Sequence, residues 1–427
     1  MAEIRPFRAL RYAPGLDLGA LICPPFDVIN EEDRVALQSL SPYNAVHLEL
    51  PTEGEDRYDR AAQLLHTWRQ QGILVPDATP AIYLLEQRFP HHGSMRRRQA
   101  LMCRVRLEPW ETGTVRPHEH ILRGPKEDRL RLLRALRTQV SPVFGLFPDP
   151  LGRVRSLLED DAWQEVSTFQ GFDGQSYVLR RLADPQREEE IREALAPLTI
   201  YIADGHHRYE TALAYREERR ANSPAWTGEE PENFVLMGLV AAEDPGVVLL
   251  PIHRLVARGA PLEVALHRLG SMFELQTVPS LPALLDLMAR HGRAITAIGL
   301  ASAQSPDLYL LSLLDPEAVY QVLPQDAPRI WRHLDSAVAH YVVILHALGL
   351  RPEELEQEGV VGYVSDPQEA LERVRAGQYQ YALFLNPPRV TQVMKVADAG
   401  YRMPPKSTYF HPKLPAGVLF YALDLEG

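Results

Sequence analysis

The sequence predicts an α/β protein with two units: a mixed α+β N-terminal unit over residues 1–257 and an α/β C-terminal unit over residues 258–427. Helical and strand-like segments alternate regularly after residue 258, which is typical of α/β units, whereas the segments before it mix without that alternation. The length of 427 residues also exceeds that of a typical domain, so two or three folding units are expected.

The N-terminal unit contains segments whose periodicity identifies individual elements. Apolar residues at helical spacing predict a helix over 57–74, and the Asp173-Gly174 step predicts a hairpin. A polar loop over 90–98 is expected to join two strands. The other elements predicted here are strands over 44–50, 81–89, 99–108 and 198–203, helices over 126–139 and 209–220, and two core strands within 234–255.

The C-terminal unit follows from a series of alternating segments. Helix and strand patterns succeed one another through 261–273, 294–302, 308–314 and 336–348, and again through 360–366, 367–377, 379–386 and 387–400. The last segment, 403–423, carries too many prolines for a helix. We therefore expect a loop and a final strand there, and this segment is expected to return to the functional site.

Composition and charge exclude several classes of protein. Cys23 and Cys103 are too few for a disulfide framework or a Cys-rich zinc site. The N-terminus lacks the apolar core of a signal peptide and no run is long enough to span a membrane, so a cytoplasmic protein is expected. The net charge of −11 disfavours binding to nucleic acid or to an anionic membrane. A small-molecule partner is then favoured, and the oligomeric state stays open.

Lysine is rare in this chain. The 45 basic residues include four lysines: Lys126, Lys395, Lys406 and Lys413. An arginine bias of this kind reflects GC-rich codons and makes most arginines uninformative. A compact, flexible ammonium is not always replaceable by a planar guanidinium, so the lysines that remain are informative. Three of the four lie in dense motifs.

The strongest motif is Asp204-Gly205-His206-His207-Arg208, which follows an apolar run and precedes a helical pattern. Gly205 allows a sharp turn and a close approach by a ligand, and the first turn of the helix offers amides to an anion. Arg208 adds a planar donor suited to phosphate or carboxylate. Asp204 either caps the helix or holds a metal ion. The competing interpretation is that Asp204 only caps and the histidines pack.

A second motif runs from Arg116 to Arg129 and contains His118, Glu119, His120, Gly124 and Lys126. A helix starting at Pro125 places Lys126 in its first turn, which makes a second anion-binding helix start. A solvated basic helix face explains the later arginines of this region, but it does not explain the HEH and RGPK sequences.

Two further segments carry candidate residues. The segment 404–413 contains Lys406, Ser407 and Lys413, which suit phosphate oxygens or magnesium-bound water, although the glycine pattern of a P-loop is absent. A surface loop explains this segment equally well when it is read alone. The segment 23–29 is a proline turn that presents Asp27.

These motifs together resemble a known family. PPFDVI, RPHEHILRGPKEDR, ADGHHRYETALAYR, LPIHRL and PPKSTYFHPKL occur in this order, as in the bacterial and archaeal family called domain of unknown function 1015. More distantly, the strand leading into DGHHR and a helix is similar to the phosphate-binding motif of the ParB, sulfiredoxin and free serine kinase superfamily. That resemblance implies that Gly205, His206, His207 and Arg208 hold the phosphates of ATP or ADP.

The favoured function is a nucleotide-dependent phosphotransferase acting on a small hydroxylated metabolite, with free serine as the leading acceptor. Phosphoryl transfer needs cations for the phosphates, magnesium ligands and a carboxylate that orients the acceptor. The candidates are cations at Lys126, Arg208, Lys406 and Lys413 with Ser407, a magnesium ligand at Asp204, and catalytic groups at Asp27, Glu119 and His206.

Two alternatives from other classes stay open. The first is a metal-dependent hydrolase, whose ligands would come from His118, His120 and Asp204. The second is a non-catalytic protein that responds to a nucleotide. Metal content separates the hydrolase from the phosphotransferase, and nucleotide turnover separates either enzyme from the regulator.

Overall fold

The computed structural model describes residues 1–119, 123–355 and 357–426, with backbone only at 123–125. Contacts divide the chain into two compact units. Unit 1 consists of Met1–Pro117, Ile121–Val248 and Pro412–Gly427, and unit 2 consists of His118–His120 and Leu249–His411. The sequence predicts a boundary between residues 257 and 258. The contacts place it between residues 248 and 249, and they assign Pro412–Gly427 to unit 1.

The elements are numbered in chain order. The strands are β1 (Ile4–Arg5), β2 (Leu10–Tyr12), β3 (Leu74–Pro76), β4 (Ile82–His91), β5 (Ser94–Arg106), β6 (Val115–Arg116), β7 (Thr138–Gln139), β8 (Val143–Phe147), β9 (Gln164–Gln170), β10 (Ser176–Leu182), β11 (Ile200–Asp204), β12 (Phe234–Ala241), β13 (Val248–Leu250), β14 (His253–Val256), β15 (Phe273–Val278), β16 (Ala297–Ser302), β17 (Ser305–Leu313), β18 (Val361–Val364), β19 (Tyr381–Phe384), β20 (Tyr409–His411) and β21 (Tyr421–Ala422). The helices are α1 (Leu18–Leu21), α2 (Glu31–Leu40), α3 (Val46–Glu49), α4 (Arg57–Gln70), α5 (Arg123–Leu136), α6 (Arg153–Leu158), α7 (Pro185–Leu195), α8 (His206–Ala221), α9 (Leu262–Leu269), α10 (Leu281–His291), α11 (Pro316–Tyr320), α12 (Arg329–Arg332), α13 (Asp335–Val338), α14 (Pro352–Leu355), α15 (Pro367–Arg375) and α16 (Val390–Asp398). A π-helical segment, Ala339–Ala347, continues α13.

Unit 1 is built on a mixed sheet. Within the described residues the strand order is β6-β11-β8-β12-β5-β4-β10-β9, with β1 also paired to β5. The pairs β6–β11 and β8–β12 are parallel and the others are antiparallel. The long hairpin β4–β5 turns at His92 and Gly93, both with positive φ, as a tight hairpin turn requires. The predicted polar loop over 90–98 is therefore wrong: most of it continues the two strands.

The element that positions the DGHHR motif is β11. It pairs with β6 on one side and with β8 on the other, and all five of its residues are buried. Its chain then enters α8, which packs against α5. Ile200 and Ile202 of β11 are buried in the same core as Tyr209 and Ala212 of α8. The turn is therefore held in place on both sides by packing.

The predicted strand over 44–50 is wrong, because this segment contains the short helix α3. The Asn44 side chain explains the difference. Its amide oxygen accepts a hydrogen bond from the Val46 N–H at 2.9 Å, and its amide nitrogen donates to the carbonyl oxygens of Ala20 and Ile22. A side chain that bonds the backbone two residues ahead favours a turn over an extended strand.

Unit 2 is built on an antiparallel sheet of order β15-β17-β16-β19-β14-β18 in the described part of the chain. Because β16 runs opposite to β17 and β19, its start lies beside the ends of both; the start of β14 lies beside the end of β19. Residues of α10 and α15 pack on this sheet. Both units combine helices with sheets, which confirms the predicted α/β class. Of the described helices, none has the length and apolarity needed to cross a bilayer.

Candidate functional site

The turn between β11 and α8 requires glycine. Gly205 has φ +87° and is the N-cap of α8, with no side-chain cap hydrogen bond. A Cβ atom added here would lie 3.0 Å from Cζ of Arg208, because the guanidinium folds back over the turn. The strand, tight turn and helix start predicted for this motif are confirmed. Asp204 precedes the N-cap and is not the capping residue.

Asp204 lies between two cations. Its Oδ1 accepts a hydrogen bond from Nζ of Lys413, and its Oδ2 accepts one from Nη2 of Arg208 at 2.5 Å. All three side chains are about nine-tenths buried, with exposed fractions of 9–11%. Burial acts to raise the pKa of Asp204, but Lys413 and Arg208 outweigh it and hold that pKa well below its ordinary value. The carboxylate is therefore ionised at any physiological pH, and the triad carries one net positive charge.

One nitrogen of the Arg208 guanidinium has no hydrogen-bond partner among the described residues. Its Nη1 donates to the carbonyl oxygen of Pro142 and its Nη2 to Asp204, whereas the buried Nε donates to none of these residues. A cavity of about 60 Å³ lies against this side chain, and Glu49, Arg129 and Thr211 also line it. The Thr211 hydroxyl is likewise buried and has no hydrogen-bond partner within the described part of the chain. Most of its lining is apolar, with Leu132, Leu133 and Leu136 among the lining residues, and a cavity of this size holds only water or a very small ligand group.

Lys126 lies on α5 and reaches the second turn of α8. Its Nζ donates to Oε2 of Glu210 at 3.1 Å, and the Trp110 indole donates to the other carboxylate oxygen at 3.2 Å. The Lys126 side chain is 37% exposed, so its ammonium keeps contact with solvent. Within unit 1, the Asp204 triad therefore lies at the start of α8, and Lys126 contacts Glu210 in the second turn of the same helix. The predicted convergence of Lys126 and Arg208 with Lys406, which belongs to unit 2, stays a prediction.

The candidate histidines occupy different environments. His206 is buried at the first position of α8, and His207 beside it is half-buried. His118, in unit 2, is buried, and its Nε2 lies 2.8 Å from the Thr408 hydroxyl. His120 lies outside the described residues. Over the described ranges, no three His, Cys, Asp or Glu side chains are grouped so that they could hold a metal, and the metal roles of Asp204, His118 and His120 stay predictions.

Unit 2 joins the HEH motif to the PPKST segment. Glu119 forms a parallel bridge with Met403, and its Oε1 accepts a hydrogen bond from the Lys406 N–H at 2.7 Å. Lys406 has φ +56°, a left-handed conformation that is uncommon for a residue other than glycine. The Ser407 hydroxyl is buried and donates to the Pro404 carbonyl. Strained backbone of this kind clusters at functional sites.

Asp27 is the candidate carboxylate of the proline turn in unit 1. It lies in the single helical turn Phe26–Val28 of unit 1 and is exposed, with no side-chain hydrogen bond to the described residues. Glu49 is the buried carboxylate of this region: it accepts hydrogen bonds from the Ser141 hydroxyl at 2.8 Å and the Phe26 N–H at 3.2 Å. In the sequence, Glu49 lies between Leu48 and Leu50, which could have indicated a buried carboxylate. The predicted strand over 44–50 placed Glu49 on a strand face instead.

Solved structures resemble this chain only weakly. A free serine kinase mutant in complex with ADP aligns at a TM-score of 0.36 and 12% identity, covering 73% of this chain and 87% of that chain. A conserved hypothetical protein from Pyrococcus furiosus aligns at 0.36 and 12%, covering 76% and 97%. SbnI with a C-terminal truncation, from Staphylococcus aureus, aligns at 0.33 and 10%, covering 74% and 87%. At this level of similarity, none of them carries an argument about activity.

No curated protein matches the chain. A family model does: the one described as protein of unknown function DUF1015 matches residues 4–337, which is most of the sequence. The matched range includes the HEH, GPK and DGHHR motifs, and the PPKST segment follows it. This protein therefore belongs to the DUF1015 family.

Proposed function

We propose that the start of α8 binds the phosphates of a nucleotide, ATP or ADP, and that the protein transfers a phosphoryl group to a small hydroxylated metabolite such as free serine. The observation that carries the proposal is the β11–Gly205–α8 turn with its triad of Asp204, Arg208 and Lys413. A helix of 16 residues begins there without a side-chain cap, and the positive end of its dipole favours an anion.

The charges around the turn support phosphate binding. Arg208 and Lys413 carry two positive charges against the one of Asp204, and Lys126 reaches the same helix one turn later. A polyphosphate has several charged oxygens and needs more than one cation. Lys126 is the cation most able to move, because its side chain is partly exposed and has one carboxylate partner, Glu210.

Magnesium would be held at the phosphates, where it neutralises charge on the transferred group. Nucleotide-bound magnesium needs only one or two protein carboxylates, and the ionised Asp204 fits that requirement. Both of its oxygens already accept hydrogen bonds from cations, so we propose that Asp204 chiefly orders Lys413 and Arg208. Asp27 and Glu119 are the proposed groups for orienting the acceptor hydroxyl, with His206 as a further catalytic candidate.

The test is calorimetric titration of the full chain with ATP, ADP and AMP, with and without magnesium. Lys126→Ala removes an ammonium that is not part of the core, and we expect it to weaken nucleotide binding roughly 10-fold or more while the melting temperature stays unchanged. Arg131→Ala is the matched control, since Arg131 lies on the same helix and is 60% exposed. This variant should bind as the wild type does.

Turnover is read separately by following the phosphorus resonances of ATP or ADP in the presence of serine and other small alcohols. Transfer to an alcohol supports the phosphotransferase. Binding without turnover favours the nucleotide-responsive regulator. Absence of nucleotide binding by the wild type overturns the proposal, and stoichiometric zinc or manganese in the purified protein would then favour the metal hydrolase.

A further inference from the structure

Unit 2 contains a cavity of its own, with a volume of about 620 Å³. It opens where the starts of β14 and β16 meet the ends of β17 and β19, and its wall is completed by the starts of α13 and α16. Small-molecule sites have volumes of about 300–1,000 Å³. All of the lining residues belong to unit 2, so the cavity is complete within this unit.

The cavity carries an excess of positive charge. Four cations line it, against one carboxylate, Asp335: Arg254, Arg293, Arg389 and Lys395. None of the four forms an ion pair with a carboxylate of the described chain. His333 also lines the wall, but burial lowers its pKa, so it adds no charge at neutral pH. Arg293, Arg389 and Lys395 are exposed to solvent, whereas Arg254 is buried.

Arg254 is the buried member of this group. Its guanidinium donates to the carbonyl oxygens of Ile252 and Pro405, both at 3.1 Å, and to no carboxylate of the described chain. Burial lowers its pKa to about 10, so it still carries its charge at neutral pH. Glu119 acts on this charge electrostatically without a hydrogen bond to it, and the Tyr363 ring centroid lies 4.8 Å from the guanidinium carbon. An anion in the cavity would add a counter-charge that bonds to the guanidinium directly.

The start of α16 adds a second feature that favours an anion. This nine-residue helix begins directly after the rigid Pro387-Pro388 step and presents Thr391, Gln392 and Lys395 to the cavity. Residues at 391 and 395 lie on one helix face, so the lysine stands above the first turn. Lys395 is the one lysine that lies outside the three sequence motifs.

Asn386 and Asp335 form a polar part of the cavity wall. The Asn386 amide donates to Oδ2 of Asp335 at 3.2 Å and to the carbonyl oxygens of Met288 and Ala297, which fixes both side chains. The absence of a side chain at Gly292 makes room for Asn386, since a Cβ atom there would lie 2.5 Å from its amide nitrogen. Burial raises the pKa of Asp335 to about 7, so the carboxyl can both donate to and accept from a ligand hydroxyl near neutral pH.

We propose that this cavity binds a phosphate ester of a small hydroxylated molecule, with the phosphate against Lys395, Arg389 and the start of α16 and the hydroxyls against Asp335 and Asn386. The proposal does not depend on nucleotide binding at α8. The charges of the cavity favour such an anion over other ligands. A neutral alcohol has no negative charge to pair with the cations, and a cationic ligand would be repelled by the four positive charges.

The first test is calorimetric titration of the full chain with pyrophosphate, glycerol 3-phosphate and glycerol. We expect the two anions to bind and glycerol not to bind. Lys395→Gln should weaken binding about 10-fold through loss of a charged donor. Arg351→Gln is the matched control, since Arg351 is a 76% exposed cation of unit 2 that does not line the cavity. Failure of both anions to bind overturns the proposal, as does equal affinity in Lys395→Gln.

The second test assigns the site by the rate of lysine acetylation. The chain has four lysines, so mass spectrometry reports each separately, and the exposed Met1 amino group serves as an internal reference. Pyrophosphate or glycerol 3-phosphate should slow acetylation of Lys395. Slowing at Lys126 without slowing at Lys395 would overturn the cavity proposal while supporting the α8 site. Slowing at Lys395 alone supports the cavity proposal even if nucleotide binding at α8 fails.

Discussion

The start of α8 and the cavity of unit 2 are both rich in cations, but they hold them differently. At α8, Arg208 and Lys413 share one buried carboxylate, Asp204, which lies between them. In the cavity, Arg254 and Lys395 have no carboxylate partner among the described residues, and the carboxyl of Asp335 is held by an amide. The first set of charges is almost balanced without a ligand, whereas in the second no described carboxylate is hydrogen-bonded to the cations.

Because of this difference, the two groups of residues are expected to contribute differently to stability and to ligand binding. A buried carboxylate between two cations contributes to the stability of the empty protein, because removing it leaves both cations buried and unpaired. The exposed cations around the cavity, Arg293, Arg389 and Lys395, contribute little to stability and are available to a ligand. Substitutions in the Asp204 triad should therefore change mainly stability, and substitutions of the exposed cavity cations should change mainly binding.

The largest expected effect is at Asp204. Asp204→Ala leaves Lys413 and Arg208 without their shared carboxylate, and we expect a loss of about 3–5 kcal/mol in the free energy of unfolding. Asp204→Asn keeps the shape and one acceptor oxygen and should lose less. Denaturant unfolding of the full chain measures both. A loss below about 1 kcal/mol for the alanine variant would remove the contrast between the two regions.

Arg254→Met is the corresponding change in the cavity. It removes two hydrogen bonds to carbonyl oxygens but also removes a desolvated charge, so the expected loss of stability is about 1–2 kcal/mol. Pyrophosphate affinity should fall at least about 10-fold. Unfolding and titration of the same preparation give both numbers. Loss of stability with unchanged affinity would show that Arg254 is a structural residue of the core.

The two regions should also differ in their dependence on pH. The pKa of Asp335 is raised to about 7, so the folded protein holds this proton more tightly than the unfolded chain does. Its contribution to stability is complete at low pH and is lost as pH rises through about 7. The groups that face it are Asn386, Thr296 and Arg389, and each acts to lower the pKa.

The expected size of this effect is about 2–3 kcal/mol between pH 5 and pH 8, because each pH unit below the raised pKa contributes about 1.4 kcal/mol. Asp335→Asn should abolish it, and thermal unfolding of the variant and the wild type across that range is the measurement. Asp204 has a lowered pKa, so its contribution is lost only in strong acid and stays constant over the same range. An identical pH profile for Asp335→Asn and wild type would contradict the assignment.

Effects of about the same size as that of Arg254→Met, or smaller, are expected at two of the residues with positive φ. Gly205 has φ +87° and Lys406 has φ +56°. Gly205→Ala should destabilise the protein by about 1–2 kcal/mol, because alanine is strained at that φ and its Cβ meets Arg208. Lys406→Gly should stabilise it by about 0.5 kcal/mol, because glycine adopts this conformation without strain. Thermal unfolding of both variants gives the signs, and destabilisation by Lys406→Gly would mean that its side chain, not its backbone, holds the turn.

Local sequence signals were sufficient for the DGHHR turn. An apolar run, a glycine and a helical pattern follow one another within 20 residues, and each acts through backbone preference or burial of its own segment. The same short-range reasoning located the long helices α4, α5 and α8 and the long strands β4, β5 and β12, but it did not predict the helices α2, α7 and α10. It failed at 44–50, where the side chain of Asn44 turns the backbone before an extended pairing can form.

The sequence by itself therefore determined the α/β class, the family, the β11–α8 turn and the small set of lysines to consider. Only the tertiary structure decided which charges meet: Lys413 reaches Asp204 across 209 positions of the chain, and Glu119 binds the backbone of Lys406 across 287. It also decided that Arg254, Asp335, Asn386 and Lys395 surround one cavity, although the sequence separates them widely. The physical reason is that periodicity and turn chemistry act over a few residues, whereas pairing of charges depends on strand order and helix packing, which bring distant segments together.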